Sequence, residues 1–244
     1  MILSFGPGLG LTRITTNSDR SRAAQNASSH RENEYARRRR NLGIRASPRE
    51  KCGETRASCA SSSTAVEQEI VAVVRAAAAR GLPSLLIGAN AVLMLGYIRN
   101  TIDLDLLVPE QSRSKWLDLL RELGYRFFHG TAGFAQFESR DKTGPPVDLM
   151  FVEQETWEKL LEGAKEMRIG SEPVLLPRPE YLVALKLHAT ASSTRSKPEV
   201  DWEDIRQIVR ICQLDPTEES FRALILRYGG EDALAKIQIF SRKQ

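Results

Sequence analysis

Two aspartates with one residue between them are the strongest chemical feature of the sequence. Asp103 and Asp105 alternate with three apolar side chains, those of Ile102, Leu104 and Leu106. Alternate residues of a β-strand share a face, so both carboxylates would point away from the core. Two carboxylates about 5 Å apart repel each other by about 3 kcal/mol at an effective dielectric constant of about 20. A hard divalent cation such as Mg²⁺, or protonation of one acid, would relieve that repulsion. The alternative interpretation is an edge strand that shows two acids to water.

A turn of small residues precedes the two aspartates. Residues 85–87 form a short apolar run that predicts a buried strand, and Gly88 permits a sharp turn of the backbone. Residues 91–96 then predict a short helix. The start of a helix offers free N–H groups and a positive dipole end, which suit a phosphate group. This order of elements predicts a phosphate site next to a cation site.

A third acid lies in a later apolar segment. Residues 147–151 predict a strand in which Asp148 is the only charged residue. Burial of an unpaired carboxylate is costly. Asp148 is therefore expected either to face solvent or to join Asp103 and Asp105.

A lysine lies within a mostly apolar helix. Residues 181–191 predict this helix, and Lys186 in its middle needs an acidic partner or must extend its stem to water. A basic loop with Arg195 and Lys197 follows, and Asp201 and Asp204 come next. Asp201 has the residue type of a helix N-cap, so one interpretation is that it caps the next helix.

The length and composition favour one core domain with an appendage. The chain has 244 residues, of which 41% are hydrophobic, and it contains no apolar run long enough to span a bilayer. Three cysteines are too few and too irregularly spaced for a disulfide framework or a metal site. We expect a protein of the cytoplasm without a membrane partner.

Charge is distributed unevenly along the chain. Residues 1–64 contain 12 Lys and Arg against 5 Asp and Glu, whereas the remainder contains 23 against 26. Residues 1–63 have few aromatic residues and no sustained hydrophobic period, so we predict a disordered basic extension. The remainder offers no argument from net charge for nucleic-acid binding.

The order of elements predicts an α+β (mixed α/β) fold. A helix from residue 65 to residue 80 comes first, followed by the alternating strands and helices described above. We expect residues 64–176 to form a small mixed sheet flanked by helices. Residues 177–244 are expected to form a helical subdomain, with a break at Gly229 and Gly230 between its last two helices.

The motifs together resemble the polymerase-β-type nucleotidyltransferase superfamily. The resemblance spans about residues 85–211 and is carried by Gly88-Ala89-Asn90-Ala91 and by Gly96-Tyr97-Ile98-Arg99-Asn100-Thr101-Ile102-Asp103-Leu104-Asp105. Within the superfamily the pattern looks most like the minimal AbiEii-toxin-like branch. One departure is Ala89, where the family usually has Gly or Ser. The resemblance implies the nucleotidyltransferase fold.

The resemblance also implies a set of site residues. Asp103, Asp105 and Asp148 would be the catalytic residues and would bind one or two Mg²⁺. The nucleotide-binding residues would be Gly88, Ala89, Asn90, Arg99, Thr101, Lys186 and Asp201. The role of Asp201 as support for the site stands beside the helix-cap interpretation, and Asp204 inherits a supporting role more weakly.

The implied activity is transfer of a nucleoside monophosphate from a nucleoside triphosphate to an acceptor hydroxyl. In the AbiEii-like branch the acceptor could be tRNA, and a cognate antitoxin would be a further partner. The alternatives are transfer to a small molecule or a protein, or a non-catalytic nucleotide- or partner-binding module with the same fold.

Overall fold

The structure is a computed structural model that describes residues 56–141, 144–191 and 198–242. From residue 66 onward the chain belongs to one compact unit. The first helix, α1, spans Arg56–Ala79 and so begins before the predicted start at residue 65. No strong helix breaker occurs in residues 56–64, which explains the difference. The remaining part of the predicted disordered extension lies outside the described residues.

The described residues contain seven strands, which form one mixed sheet in the order β3-β4-β5-β2-β1-β7-β6. The pairs β2–β5 and β1–β7 are parallel, and the other four neighbouring pairs are antiparallel. The expected mixed sheet is thereby confirmed. The strands are β1 Leu85–Leu86, β2 Leu104–Pro109, β3 Tyr125–Gly130, β4 Phe134–Ser139, β5 Val147–Val152, β6 Lys165–Ile169 and β7 Glu172–Leu176.

Helices flank this sheet, and three of them follow it in the chain. The last helix is interrupted at Gly230, whose φ of 71° and ψ of −171° are not helical, so the predicted break is confirmed. None of the described helices has the length and apolarity to cross a membrane. The helices after α1 are α2 Gly88–Met94, α3 Arg113–Glu122, α4 Gln154–Leu161, α5 Pro179–Thr190, α6 Pro198–Ile211 and α7 Glu219–Arg242.

Strand β6 was not predicted from the sequence. It pairs antiparallel with β7 at one edge of the sheet, and of its five residues only Ile169 is buried. The sequence of β6 shows no clear alternation of polar and apolar residues, because neighbouring elements cover little of an edge strand. Helix α2 also differs from expectation, since it begins at Gly88 rather than at residue 91.

The apolar side chains of β2 anchor the segment that carries the two aspartates. Leu104 and Leu106 are buried, as the alternation predicts. Ile102 lies before the strand and remains partly exposed, in contrast to the prediction. Each strand contributes at least one buried side chain to a core that continues into α5, α6 and α7. The boundary predicted between residues 176 and 177 falls between β7 and α5 and stays a prediction.

Candidate active site

Two of the predicted acids are direct partners in the sheet. Asp105 on β2 pairs with Asp148 on the parallel strand β5. Asp103 comes immediately before β2, and its negative charge acts on Asp105. All three acids are partly exposed. Residues 43 positions apart in the chain are thus neighbours in the sheet, which is one of the two positions that the sequence left open for Asp148.

Backbone hydrogen bonds fix the place of Asp105. The N–H of Leu104 donates to the carbonyl of Pro146 at 2.9 Å, which sets the register between β2 and β5. On the other side, the N–H of Ile87 donates to the carbonyl of Asp105 at 3.1 Å. Asp105 therefore lies between β5 and the turn that follows β1.

Gly88 lies against the side chain of Asp105. Its φ is +65°, and a Cβ added there would overlap the carboxylate and lie 2.6 Å from the Asp105 Cβ. The backbone N–H of Ala89 donates a hydrogen bond to the same carboxylate. The turn predicted to approach a phosphate therefore also holds one of the acids.

The electrostatic environment of Asp105 is unfavourable to its charge. Burial, then the charges of Asp148 and Asp103, raise the pKa of Asp105 to about 7, although Lys186 and the N–H of Ala89 act in the opposite direction. In the absence of a cation, the protonated form of this acid is therefore favoured far more than in an ordinary aspartate. The repulsion expected between the acids is present at this site.

Gln136 is a site residue that the sequence analysis missed. It lies on β4 directly opposite Asp148, and its Nε2 donates to Asp148 Oδ2 at 2.9 Å. Its neighbours Ala135 and Phe137 are buried, so alternation alone places Gln136 on the opposite face of the sheet. Only the register between β4 and β5 shows that this face carries Asp148.

The predicted acidic partners of Lys186 are found on α6. Its Nζ donates to Asp201 Oδ1 at 2.9 Å and to Asp204 Oδ2 at 2.6 Å. The guanidinium of Arg99, from the connection between α2 and β2, donates to the same Asp204 oxygen. Asp201 is four residues into α6, so the interpretation that it caps this helix is wrong.

The remaining predicted nucleotide-binding residues lie in α2 and in the connection between α2 and β2. Asn90 is buried, and its side-chain amide donates to the carbonyl of Asp103 at 2.6 Å, so this amide orients the acidic segment. Thr101 is partly exposed in the connection before β2. Arg195 and Lys197 lie outside the described residues. The nucleotide contacts of all these residues stay predictions.

The acidic side chains of this site are the candidate ligands of the predicted metal ion. Within the described ranges, no three acidic, histidine or cysteine side chains converge closely enough to hold a metal ion. Carboxylate oxygens are nevertheless the donors that Mg²⁺ prefers. Burial is the main cause of the raised pKa of Asp105, and the negative charges of Asp148 and Asp103 add to it, so negative charge is concentrated at this site. The donor chemistry fits a divalent cation, and an ion shared by all three acids would require their carboxylates to lie closer together.

Comparison with known proteins gives neither a matching family nor a matching curated protein. Among solved structures, the chain is similar to the antibiotic-resistance factor ANT(2'')-Ia, with 21% identity over 73% of this chain and 90% of that one, at a TM-score of 0.47. It is also similar to an antigenic nucleotidyltransferase-like protein from Paracoccidioides brasiliensis, with 13% identity, coverage of 72% and 93%, and a TM-score of 0.47. A third similar structure is the lincosamide antibiotic adenylyltransferase LnuA with lincomycin bound, with 15% identity, coverage of 59% and 97%, and a TM-score of 0.46. Such values assign no substrate to this chain.

Proposed function

We propose that this chain is a metal-dependent nucleotidyltransferase. It would move a nucleoside monophosphate from a nucleoside triphosphate to an acceptor hydroxyl. The observation that carries the proposal is the pairing of Asp105 with Asp148 on adjacent parallel strands, against a glycine turn that admits no side chain. The resemblance of residues 85–211 to the superfamily supports the same chemistry.

The three acids would hold the metal. Asp103, Asp105 and Asp148 would bind one or two Mg²⁺. When bound, the ion neutralises charge on the triphosphate and on the transferred phosphoryl group. Burial first, and then the charges of Asp148 and Asp103, raise the pKa of Asp105, and a bound cation would offset both effects, which supports this role.

The surrounding backbone and cations would bind the nucleotide. As the resemblance implies, Gly88 and the main chain of Ala89 and Asn90 would lie close to phosphate oxygens. Arg99, Thr101 and Lys186 would contact the phosphate chain. Asp201 would support Lys186 through the hydrogen bond between them.

Asp148 would accept the proton of the acceptor hydroxyl. The hydroxyl oxygen then forms a bond to the α-phosphorus, the bond from that phosphorus to the bridging oxygen breaks, and pyrophosphate leaves. Gln136 would hold the carboxylate in place by its hydrogen bond to Oδ2.

Two classes of acceptor are considered for the transferred nucleotide, tRNA and small hydroxylated molecules. In the AbiEii-like branch it would be tRNA, with an antitoxin as a further partner. A specific observation favours a small hydroxylated molecule: residues 65–244 carry 23 basic against 26 acidic side chains, a balance that does not attract nucleic acid.

Label transfer tests the proposal. The full chain would be incubated with Mg²⁺ and each α-labelled nucleoside triphosphate, with tRNA, small aminoglycosides and cell-extract protein as separate acceptors. Asp103→Ala would be the control variant. We expect label in one class of acceptor with the wild type and none with the control. Absence of label from every acceptor, or equal label with the folded control, would contradict the proposal.

A further inference from the structure

Four charged side chains join separate parts of the fold. Arg99 comes from the connection between α2 and β2, Lys186 from α5, and Asp201 and Asp204 from α6. Asp204 Oδ2 accepts hydrogen bonds from both cations, and Asp201 Oδ1 accepts a second one from Lys186. Asp201 and Asp204 are buried. We call these four residues the charge cluster.

The charge cluster is balanced and partly accessible. It contains two cations and two anions, so neither buried carboxylate is left without an opposite charge. Exposed fractions are 22% for the Arg99 side chain and 11% for that of Lys186, against 1% for each acid. The two cations therefore form the accessible side of the cluster and the two acids form its buried side.

Hydrogen bonds to the acids orient the ammonium group of Lys186. An ammonium group has three N–H donors in a tetrahedral arrangement. Two of them point to Asp201 and Asp204, and this fixes the direction of the third. Arg99 donates one guanidinium N–H to Asp204 and has further donors in the same plane. Asp204 is the residue shared by both cations.

The charge of Lys186 also acts on one of the candidate metal ligands, Asp105. Its charge lowers the pKa of Asp105, although the other influences on that acid are stronger. Its hydrogen bonds nevertheless go to the acids of α6 and not to Asp105. Without those acids, Lys186 would be attracted to the repelling carboxylates and would compete there with a cation.

We propose that Asp204 is a positioning residue that holds Arg99 and Lys186 together as a pair of cations for the triphosphate of the nucleotide, and that keeps Lys186 from pairing with Asp105. This inference rests on the proposed function. A purely structural cluster would instead contribute to stability and leave ligand binding by the folded protein unchanged.

Calorimetric titration of the full chain separates these roles. One titrant is inorganic tripolyphosphate with Mg²⁺, and the other is Mn²⁺ alone. The variant is Asp204→Asn. The matched control is Glu203→Gln, which makes the same charge change at the adjacent position of α6, where Glu203 pairs with the more exposed Arg206.

For Asp204→Asn we expect tripolyphosphate affinity to fall by about tenfold or more, because two charge-assisted contacts lose their orientation. We expect Mn²⁺ affinity to fall as well, as Lys186 turns to Asp105. For Glu203→Gln both affinities should stay within about twofold of the wild type, as for an exposed pair. Adding Lys186→Met to Asp204→Asn should restore Mn²⁺ binding without restoring tripolyphosphate binding.

A second variant keeps the test independent of the folding of Asp204→Asn. Arg99→Gln changes a more exposed side chain, and we expect it to weaken tripolyphosphate binding by about tenfold while Mn²⁺ binding is retained. Tripolyphosphate binding by folded Asp204→Asn or by Arg99→Gln at the strength of Glu203→Gln would overturn the inference while leaving label transfer intact. Absence of both label transfer and tripolyphosphate binding in the wild type would overturn the proposed function together with the inference.

Discussion

The contact between Gly88 and Asp105 leaves no room for a side chain at position 88. Gly88 combines a φ of +65° with direct apposition to the Asp105 side chain. Its conformation favours glycine, and its surroundings exclude a methyl group independently. The pattern of small residues predicted a turn for phosphate approach, but it did not predict that the turn packs against an acid.

Gly88→Ala is expected to damage both stability and cation binding. Backbone strain and overlap with Asp105 together should lower the free energy of unfolding by about 3 kcal/mol. Gly81 is a matched control, because its φ is +61° and a Cβ there would meet no atom within 4 Å. Gly81→Ala should lower the free energy of unfolding by only about 1 kcal/mol. Urea unfolding and Mn²⁺ titration would measure the difference, and equal effects of the two variants would contradict the packing argument.

Asp105→Asn is expected to stabilise the metal-free protein at alkaline pH. The ordinary pKa of an aspartate is 3.8, and that of Asp105 in the folded protein is about 7. Between these values the folded state binds more protons than the unfolded state, so the free energy of unfolding falls as pH rises. Above about pH 7 the full destabilisation is present, and we expect it to be roughly 1–3 kcal/mol for this partly exposed residue.

Urea unfolding in EDTA at pH 5 and pH 8 would measure this effect. The wild type should lose stability relative to Asp105→Asn between the two pH values. Added Mg²⁺ at pH 8 should stabilise the wild type and leave the variant nearly unchanged. A constant difference between the two proteins across this range would contradict the assigned environment of Asp105.

At the scale of elements, the parallel pairing of β2 with β5 assembles the site. Alternation predicted the faces of β2, and the buried side chains of Leu104 and Leu106 follow it. The register that places Asp105 opposite Asp148 depends on the whole sheet and cannot be derived from either segment. The lone acid in an apolar segment identified Asp148, and the resemblance implied its role. Gln136 had no local signal, because a glutamine in a strand is usually an ordinary polar residue. Strand β6 was missed for a related reason, since an exposed edge strand lacks a hydrophobic pattern.

Gln136→Leu tests the side-chain hydrogen bond between Gln136 on β4 and Asp148 on β5. Loss of the hydrogen bond to Asp148 should lower the rate of transfer by about tenfold, because an orienting partner of a reacting carboxylate is removed. The KM for the nucleotide should change by less than about twofold if Gln136 acts only through Asp148. Gln111→Leu is the control, since Gln111 forms an exposed amide pair with Gln154. A similar rate for the two variants would argue against a role for Gln136.

At the scale of the whole molecule, positive charge and the candidate site belong to different parts of the chain. Residues 1–64 carry 12 basic against 5 acidic side chains, and the candidate site lies in the acidic remainder. Any affinity for RNA from net charge would therefore depend on the first part of the chain. A small acceptor would not need that part.

Replacement of Arg37, Arg38, Arg39 and Arg40 by glutamine separates the acceptor classes. For tRNA we expect weaker binding and a decrease of about 3 in the slope of log affinity against log salt concentration, since four phosphate contacts are lost at most. Transfer to a small hydroxylated acceptor should be unchanged. Filter binding and label transfer at several salt concentrations would measure both, and an unchanged slope would exclude these arginines as the RNA contacts.

If Asp105 binds the metal as proposed, its pKa of about 7 makes the proton a competitor of the metal for the same oxygen atoms. Below that pH each loaded ion must displace a proton, so apparent cation affinity should fall by up to about tenfold for each unit of acidification. The protein would thereby sense acid through a proposed metal ligand. A modest drop in the pH of its surroundings would reduce catalysis by emptying the metal site while the fold is preserved.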